Sequence, residues 1–161
     1  NSISINKFNN KDKLKELKNK KIDTLIHCAF NKVNDDSLDL YEKNIVFLNQ
    51  LLNLNIKKFI FISSIYVSQY EKYDDFSKNL NYYNSLYTFL KKISEEIILK
   101  KHKNSLILRC SSFITPFSKE NNIFKLIKNN KNLSITKNSN YNIIDPNDLL
   151  KICKISIDKN N

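Results

Sequence analysis

Lys57-Lys58-Phe59-Ile60-Phe61-Ile62-Ser63-Ser64 is the stretch on which the fold turns. Its apolar centre shows no polar alternation, so it reads as a strand buried on both faces, as in a parallel sheet. Asp23-Thr24-Leu25-Ile26-His27-Cys28-Ala29 and Ser105-Leu106-Ile107-Leu108-Arg109 have the same character. Between the first two runs, from Ser37 to Leu54, Leu38, Tyr41, Ile45, Leu48 and Leu52 recur at helical spacing. After the second, Asn84 to Lys101 reads as a helix with Tyr87, Ile93, Ile97 and Ile98 among its apolar residues. Alternating strands and helices of this length imply βαβ units, hence an α/β fold with a doubly wound parallel sheet and helices on both faces. In such sheets ligands bind beyond the carboxyl ends of the strands, here after Ala29, Ser64 and Arg109.

Outside this centre the pattern continues more weakly. Ser2 to Ile5 alternates like a short strand, Lys11 to Lys21 is a lysine-rich helix, and Asn121 to Asn130 is helical. Leu133 to Thr136 and Tyr141 to Ile144 read as short strands. Asp145-Pro146 opens a last helix to about Ile157, Pro being favoured at the first helical position. Neither a repeat nor a Gly/Ser linker divides residues 1–161, so a single domain is expected.

Composition excludes several function classes. Apolar runs fall well short of the roughly 20 residues that cross a bilayer, and no signal-like segment opens the sequence, so no membrane association and a cytoplasmic location are expected. Cys28, Cys110 and Cys153 are far apart and odd in number, which reads as reduced core cysteines rather than a disulfide framework. With only His27 and His102 beside them, no metal site is expected, and His27 reads as a structural core histidine. The net charge of +11 raises the question of a nucleic-acid partner, but the basic residues are dispersed lysines and Arg109 is the single arginine. Base readers lean on arginine, so nucleic acid is not the expected partner.

The count that constrains function most is zero glycines. Gly-rich phosphate loops and nucleophile elbows need backbone positions that only Gly reaches cheaply, so none can lie within these 161 residues. Turns with positive φ must fall to Asn. Tyr87 and Lys91 lie one helical turn apart on one face, where an ammonium favours the phenolate and makes the tyrosine a plausible acid/base for a hydroxyl proton. With 8 tyrosines and Lys at roughly one position in six, about one Tyr-x-x-x-Lys pair arises by chance. The pair alone is therefore no evidence, and position must supply it.

Position does so through several motifs in order. Asp23 to Ala29 is similar to a D-x-x-I-H-x-A strand, and Asn44-Ile45-Val46-Phe47-Leu48-Asn49-Gln50-Leu51-Leu52 to an N-V-x-G-T-x-N-L-L helix, with Phe47 in place of Gly. The run closing on Phe61-Ile62-Ser63-Ser64 matches an F-I-x-x-S-S strand end, with Ser64 three residues before Val67. Tyr87, Lys91 and Glu95 match Y-x-x-S-K-x-x-x-E, with Leu90 in place of Ser. Leu108 to Pro116 is similar to L-R-P-x-N-x-Y-G-P, and Ile143 to Leu149 to F-x-x-V-x-D-[VL]. Together these resemble the extended short-chain dehydrogenase/reductase family, the NAD-dependent sugar epimerase/dehydratase group with its Rossmann-like sheet.

The resemblance implies an NAD or NADP cofactor, a nucleotide-sugar substrate, and an epimerase or reductase reaction. Tyr87 would be the acid/base, Lys91 would assist it and hold the nicotinamide ribose, and Ser64 would bind the reacting oxygen. Ala29 and Asn6 would line the cofactor and Ser112 the substrate, and the helices Ser37–Leu54 and Asn84–Lys101 would pair in a homodimer. Dehydration is less expected, because Ile65-Tyr66 follow Ser64 where such enzymes carry Asp-Glu. Departures point the other way. The family's glycine fingerprint would precede residue 1 and its substrate domain would begin near the end, so a partial Rossmann-like domain with weak NAD(P) binding is expected, or else a non-catalytic scaffold of the same fold.

Overall fold

The computed structural model describes residues 10–30, 37–69, 86–113, 115, 123–132, 138, 140 and 142–158. Two compact units result, Asn1–Arg109 and Cys110–Asn161.

The first unit is built on the run with which the sequence is organised. Strand β2 (Ile56–Ser64) lies between β1 (Ile22–His27) and β3 (Ser105–Cys110). β1 and β2 are parallel, with Ile22 opposite Ile56 and His27 opposite Phe61. Phe59, Ile60 and Phe61 are all fully buried, so successive side chains on opposite faces of β2 are both covered, as the unbroken apolar run implied. Phe59 and Phe61 pack with Leu17 of α1 (Asn10–Leu17), Leu48 and Leu51 of α3 (Phe47–Leu52) and Ile98 of α4 (Leu86–Lys101). Burying each such side chain contributes roughly 2 kcal/mol.

β1 departs from the expectation of two buried faces: Asp23 is exposed and Ile26 is 43% exposed. Among the described residues it is an edge strand of a three-stranded sheet, and its side chains are covered less completely than those of central β2. Because β1 ends at His27, Cys28 leaves the ladder and is exposed, which corrects its reading as a core cysteine, while Cys110 and Cys153 are buried.

The helix expected over Ser37–Leu54 is present but not uniform. α2 (Ser37–Tyr41) runs into a wider π-helical turn, Glu42–Val46, before α3. Buried Asn44 accounts for the widening, since its side-chain amide donates to Leu40 O at 2.8 Å, the carbonyl its own backbone N–H would take in an α-helix. α4 then returns the chain to β3. Its connection is pinned to the start of β2 by His102 Nε2 on Ile56 O at 3.0 Å and Asn104 Nδ2 on Lys57 O at 2.8 Å.

The second unit pairs β4 (Ser112–Phe113) in parallel with β5 (Ile143–Ile144), with α5 (Ile123–Lys128) between them and α6 (Pro146–Asp158) after. Asp145 caps α6: its carboxylate accepts from Asn147 N at 2.7 Å, with Pro146 opening the helix as expected. α5 closes on Asn130 at φ 50°, where the backbone turns left-handed and Lys131 N reaches back to Leu126 O at 2.9 Å. In a chain without glycine, asparagine takes the position glycine normally fills. The expected strands Ser2–Ile5 and Leu133–Thr136, and most of the Tyr66–Asn81 connection, lie outside the described residues. Among the described residues no helix is long and apolar enough to cross a membrane.

Candidate active site

The candidate site forms where α4 begins and β2 ends. Tyr87, Lys91 and Glu95 recur at four-residue intervals and so share one side of α4. Lys91 is 2% exposed, and an ammonium that deep must find an acceptor. It donates to Ile62 O at 2.6 Å, two residues before Ser64. Its Nζ also lies 4.1 Å from the centre of the Phe30 ring, 4.5 Å from that of Phe61 and 5.8 Å from that of Tyr87. Rings at these distances offer the ammonium their negative faces. Phe30 in turn meets Tyr87 edge-on at 5.2 Å.

One turn further along α4, Glu95 is also 2% exposed. Its carboxylate accepts from Ser63 Oγ at 2.5 Å and from Arg109, whose Nη2 lies at 2.7 Å and Nε at 3.1 Å from both carboxylate oxygens. Arg109 Nη1 reaches Ser68 Oγ at 3.4 Å, within the 3-10 turn Ile65–Gln69 that follows β2. One carboxylate thereby ties α4 to the ends of β2 and β3, and its paired guanidinium reaches the turn after Ser64. Sequence reasoning noted Glu95 and Arg109 as motif letters without assigning them this task. The available signal was the chain's single arginine at a strand end, together with an acid in register with Lys91.

The other expected site residues are distributed as follows. Ser64 is buried at the last position of β2, and its hydroxyl oxygen accepts from Tyr66 N at 3.4 Å. Ala29 is exposed just beyond β1. Ser112 is half-buried at the start of β4 in the second unit, and Asn6 lies outside the described residues. Sequence reasoning missed Phe30, which touches both Tyr87 and Lys91.

His27 backs the site from β1. It is 5% exposed, stacks on Phe61 with ring centres 5.5 Å apart and meets Phe47 and Phe59 edge-on. Burial, and secondarily the Lys91 charge, push its pKa down to about 4, so it is neutral at physiological pH. This is the packing of a core imidazole.

Parallel strands with helices packed on them make an α/β arrangement, and Lys91 of α4 meets β2 two residues before the strand end that carries Ser64. A family model described as the NAD dependent epimerase/dehydratase family matches residues 5–159. The chain belongs to that family. No curated protein matches it in sequence. Among solved structures, a mutant of UDP-glucuronic acid 4-epimerase from Bacillus cereus, in complex with UDP-4-deoxy-4-fluoro-glucuronic acid and NAD, aligns at TM-score 0.63 and 22% identity. That alignment covers 91% of this chain and 52% of the other. UDP-N-acetylglucosamine 4-epimerase from Methanobrevibacter ruminantium M1, in complex with UDP-N-acetylmuramic acid, aligns at TM-score 0.64 and 21% identity, over 91% and 54%. The Bacillus cereus enzyme in complex with NAD gives 0.63 and 22%, over 89% and 51%. The chain thus spans about half the length of these structures, whose likeness establishes the shared fold.

Two outcomes follow from the site's electrostatics. The folded pKa of His27 lies below its unfolded value of 6.5, so the unfolded chain binds the extra proton and stability falls as pH drops from about 6.5 towards 4. Urea unfolding should show this loss, up to about 3 kcal/mol over that window, and His27→Phe should flatten the slope. A slope unchanged by the substitution would contradict the assignment. Separately, Glu95→Gln should cost about 2 kcal/mol or more by leaving Arg109 without its countercharge, less than a fully buried pair because the arginine is 26% exposed. In a double-mutant cycle with Arg109→Met the two losses should not add, and strict additivity would show that the pair does not act as a unit.

Proposed function

We propose that this chain carries the acid/base half of an NAD(P)-dependent nucleotide-sugar epimerase or reductase, with Tyr87, Lys91 and Ser64 as its catalytic set. The observation that supports this most is the docking of α4 on β2, which sets the Lys91 ammonium on Ile62 O beside the strand end that carries Ser64, with Tyr87 one turn before it. Family membership and the NAD and UDP-sugar-derived ligands of the solved neighbours supply the substrate class.

A serine hydroxyl, a phenol and an ammonium at a strand's carboxyl end fit the hydroxyl-bearing nicotinamide end of a dinucleotide. The pyrophosphate end finds no equivalent here, because 161 residues without glycine provide no Gly-rich turn at a helix start. When bound, the dinucleotide supplies the hydride chemistry. The chain's own residues handle the proton and the oxygen. Tyr87 Oη accepts the proton of the sugar hydroxyl as it becomes a carbonyl and returns it when the alcohol is re-formed, and Ser64 Oγ donates to that oxygen. Lys91 favours the phenolate and binds a ribose hydroxyl; Ala29 lines the cofactor and Ser112 the sugar. Retention of the intermediate and return of hydride to its other face gives the epimer, whereas release of an oxidised or reduced sugar gives net redox.

A second reading has its own observation. As the site stands, the Lys91 ammonium is buried against Phe30, Phe61 and Ile62 O, which suits a non-catalytic scaffold as well as a resting enzyme. Turnover separates the two. With NAD and UDP-sugars, Tyr87→Phe and Lys91→Ala should each reduce the rate of the intact protein by about 100-fold or more. Unchanged rates in both variants would remove the catalytic assignment.

The exposed side chains Tyr41 and Val46 on the first long helix and Leu99 on the second support a homodimer through Ser37–Leu54 and Asn84–Lys101. Light scattering should give twice the monomer mass, and Val46→Asp should lower it. A monomer at high protein concentration would refute the pairing.

A further inference from the structure

The aromatic rings around Lys91 are not equivalent. Phe61 belongs to β2, is fully buried and closes the inner side of the ammonium. Phe30 is only half-buried and stands on the outer side, closer to the charge at 4.1 Å against 4.5 Å. It also meets the Tyr87 ring nearly at right angles, centres 5.2 Å apart, so a single ring contacts both residues of the pair.

The covalent setting of Phe30 differs too. The last β1 residue paired with β2 is His27, opposite Phe61, and both Cys28 and Ala29 are exposed. Phe30 lies three positions past the ladder, and its half-buried side chain is less confined than a fully buried ring. Phe61 has no such freedom, because its side chain is fully buried and packed on all sides.

We propose that Phe30 governs access to the Lys91 ammonium, acting as an aromatic cap that a ligand hydroxyl must displace before it can reach the lysine. The proposal rests on the reading of Lys91 as a ligand-binding residue and adds how that residue is regulated. With the cap in place, the charge is held by cation–π contacts and the Ile62 carbonyl. With the cap rotated out, a vicinal diol of the ribose class can replace the ring by hydrogen bonds to the ammonium, and the edge of Tyr87 is uncovered in the same motion. Phe30 is a positioning residue in this scheme, acting through Lys91 and Tyr87.

Chemical labelling tests the cap without requiring turnover, so its outcome stands apart from whether the protein is an active epimerase or reductase. The full chain is treated with limiting acetic anhydride, and acetylation of Lys91 is quantified by mass spectrometry relative to exposed Lys151 and buried Lys58. In the wild type Lys91 should label far more slowly than Lys151. Phe30→Ala should raise Lys91 labelling by about tenfold while Lys58 stays unchanged, the size expected for losing one cation–π and packing contact. Phe30→Trp, which keeps an aromatic face, should keep Lys91 protected. Lys91 labelling that is unaltered in Phe30→Ala, or that rises equally in Phe30→Trp or in step with Lys58, overturns the proposal.

Discussion

A buried ammonium bonded to a backbone carbonyl organises this structure. Lys91 lies in the interior of the first unit, where an unpaired charge would be prohibitive, so the helix that carries it can settle only where an acceptor and polarisable rings await. Ile62 O and the faces of Phe61 and Phe30 provide that place. Glu95 sets the second point of the same alignment through Ser63 and Arg109. Two charged residues one turn apart thus fix the axial position of α4 against β2, while the surrounding apolar contacts supply most of the burial. Apolar packing alone tolerates sliding; charge satisfaction does not.

The same constraint explains why the strand end is chemically interesting. Ser63 and Ser64 are neighbours on opposite faces, so the strand divides its hydroxyls between a structural and a proposed chemical duty. Ser63 Oγ donates a hydrogen bond to Glu95, whereas Ser64 takes a hydrogen bond from the turn that follows. His27, on the neighbouring strand, contributes a neutral stacked ring and no charge. Under the proposed function, Ser64, Tyr87 and Lys91 are the polar groups that meet a ligand.

Much of the fold was legible because it depends on patterns that a sequence displays. The uninterrupted apolar run of β2 announced burial on both faces and Asp145-Pro146 announced the start of α6, whereas the side that α4 buries, Thr88, Leu90, Lys91, Ser94, Glu95 and Ile98, shares only Ile98 with the apolar residues named from the sequence. What was not legible arises from tertiary partners. The π-helical turn depends on the side chain of Asn44 choosing Leu40 O, and the exposure of Cys28 follows from β1 ending at His27, one residue before it. The candidates Tyr87, Lys91 and Ser64 could be named from motif order. Phe30 could not, since an apolar residue after a strand looks like core until its ring is seen over a charge. Zero glycine was read correctly at Asn130, where asparagine takes the left-handed turn.

Family membership and fold leave the chemistry of the site as the central claim. Rapid mixing of the intact, NAD-loaded protein with a UDP-sugar, followed by absorbance of the reduced nicotinamide, addresses it most directly. The account predicts a transient rise and decay of that absorbance, accompanied by formation of the 4-epimer, or a lasting rise if the reaction is net oxidation. A flat trace across UDP-glucose, UDP-glucuronic acid and UDP-N-acetylglucosamine, with dinucleotide bound, would contradict it.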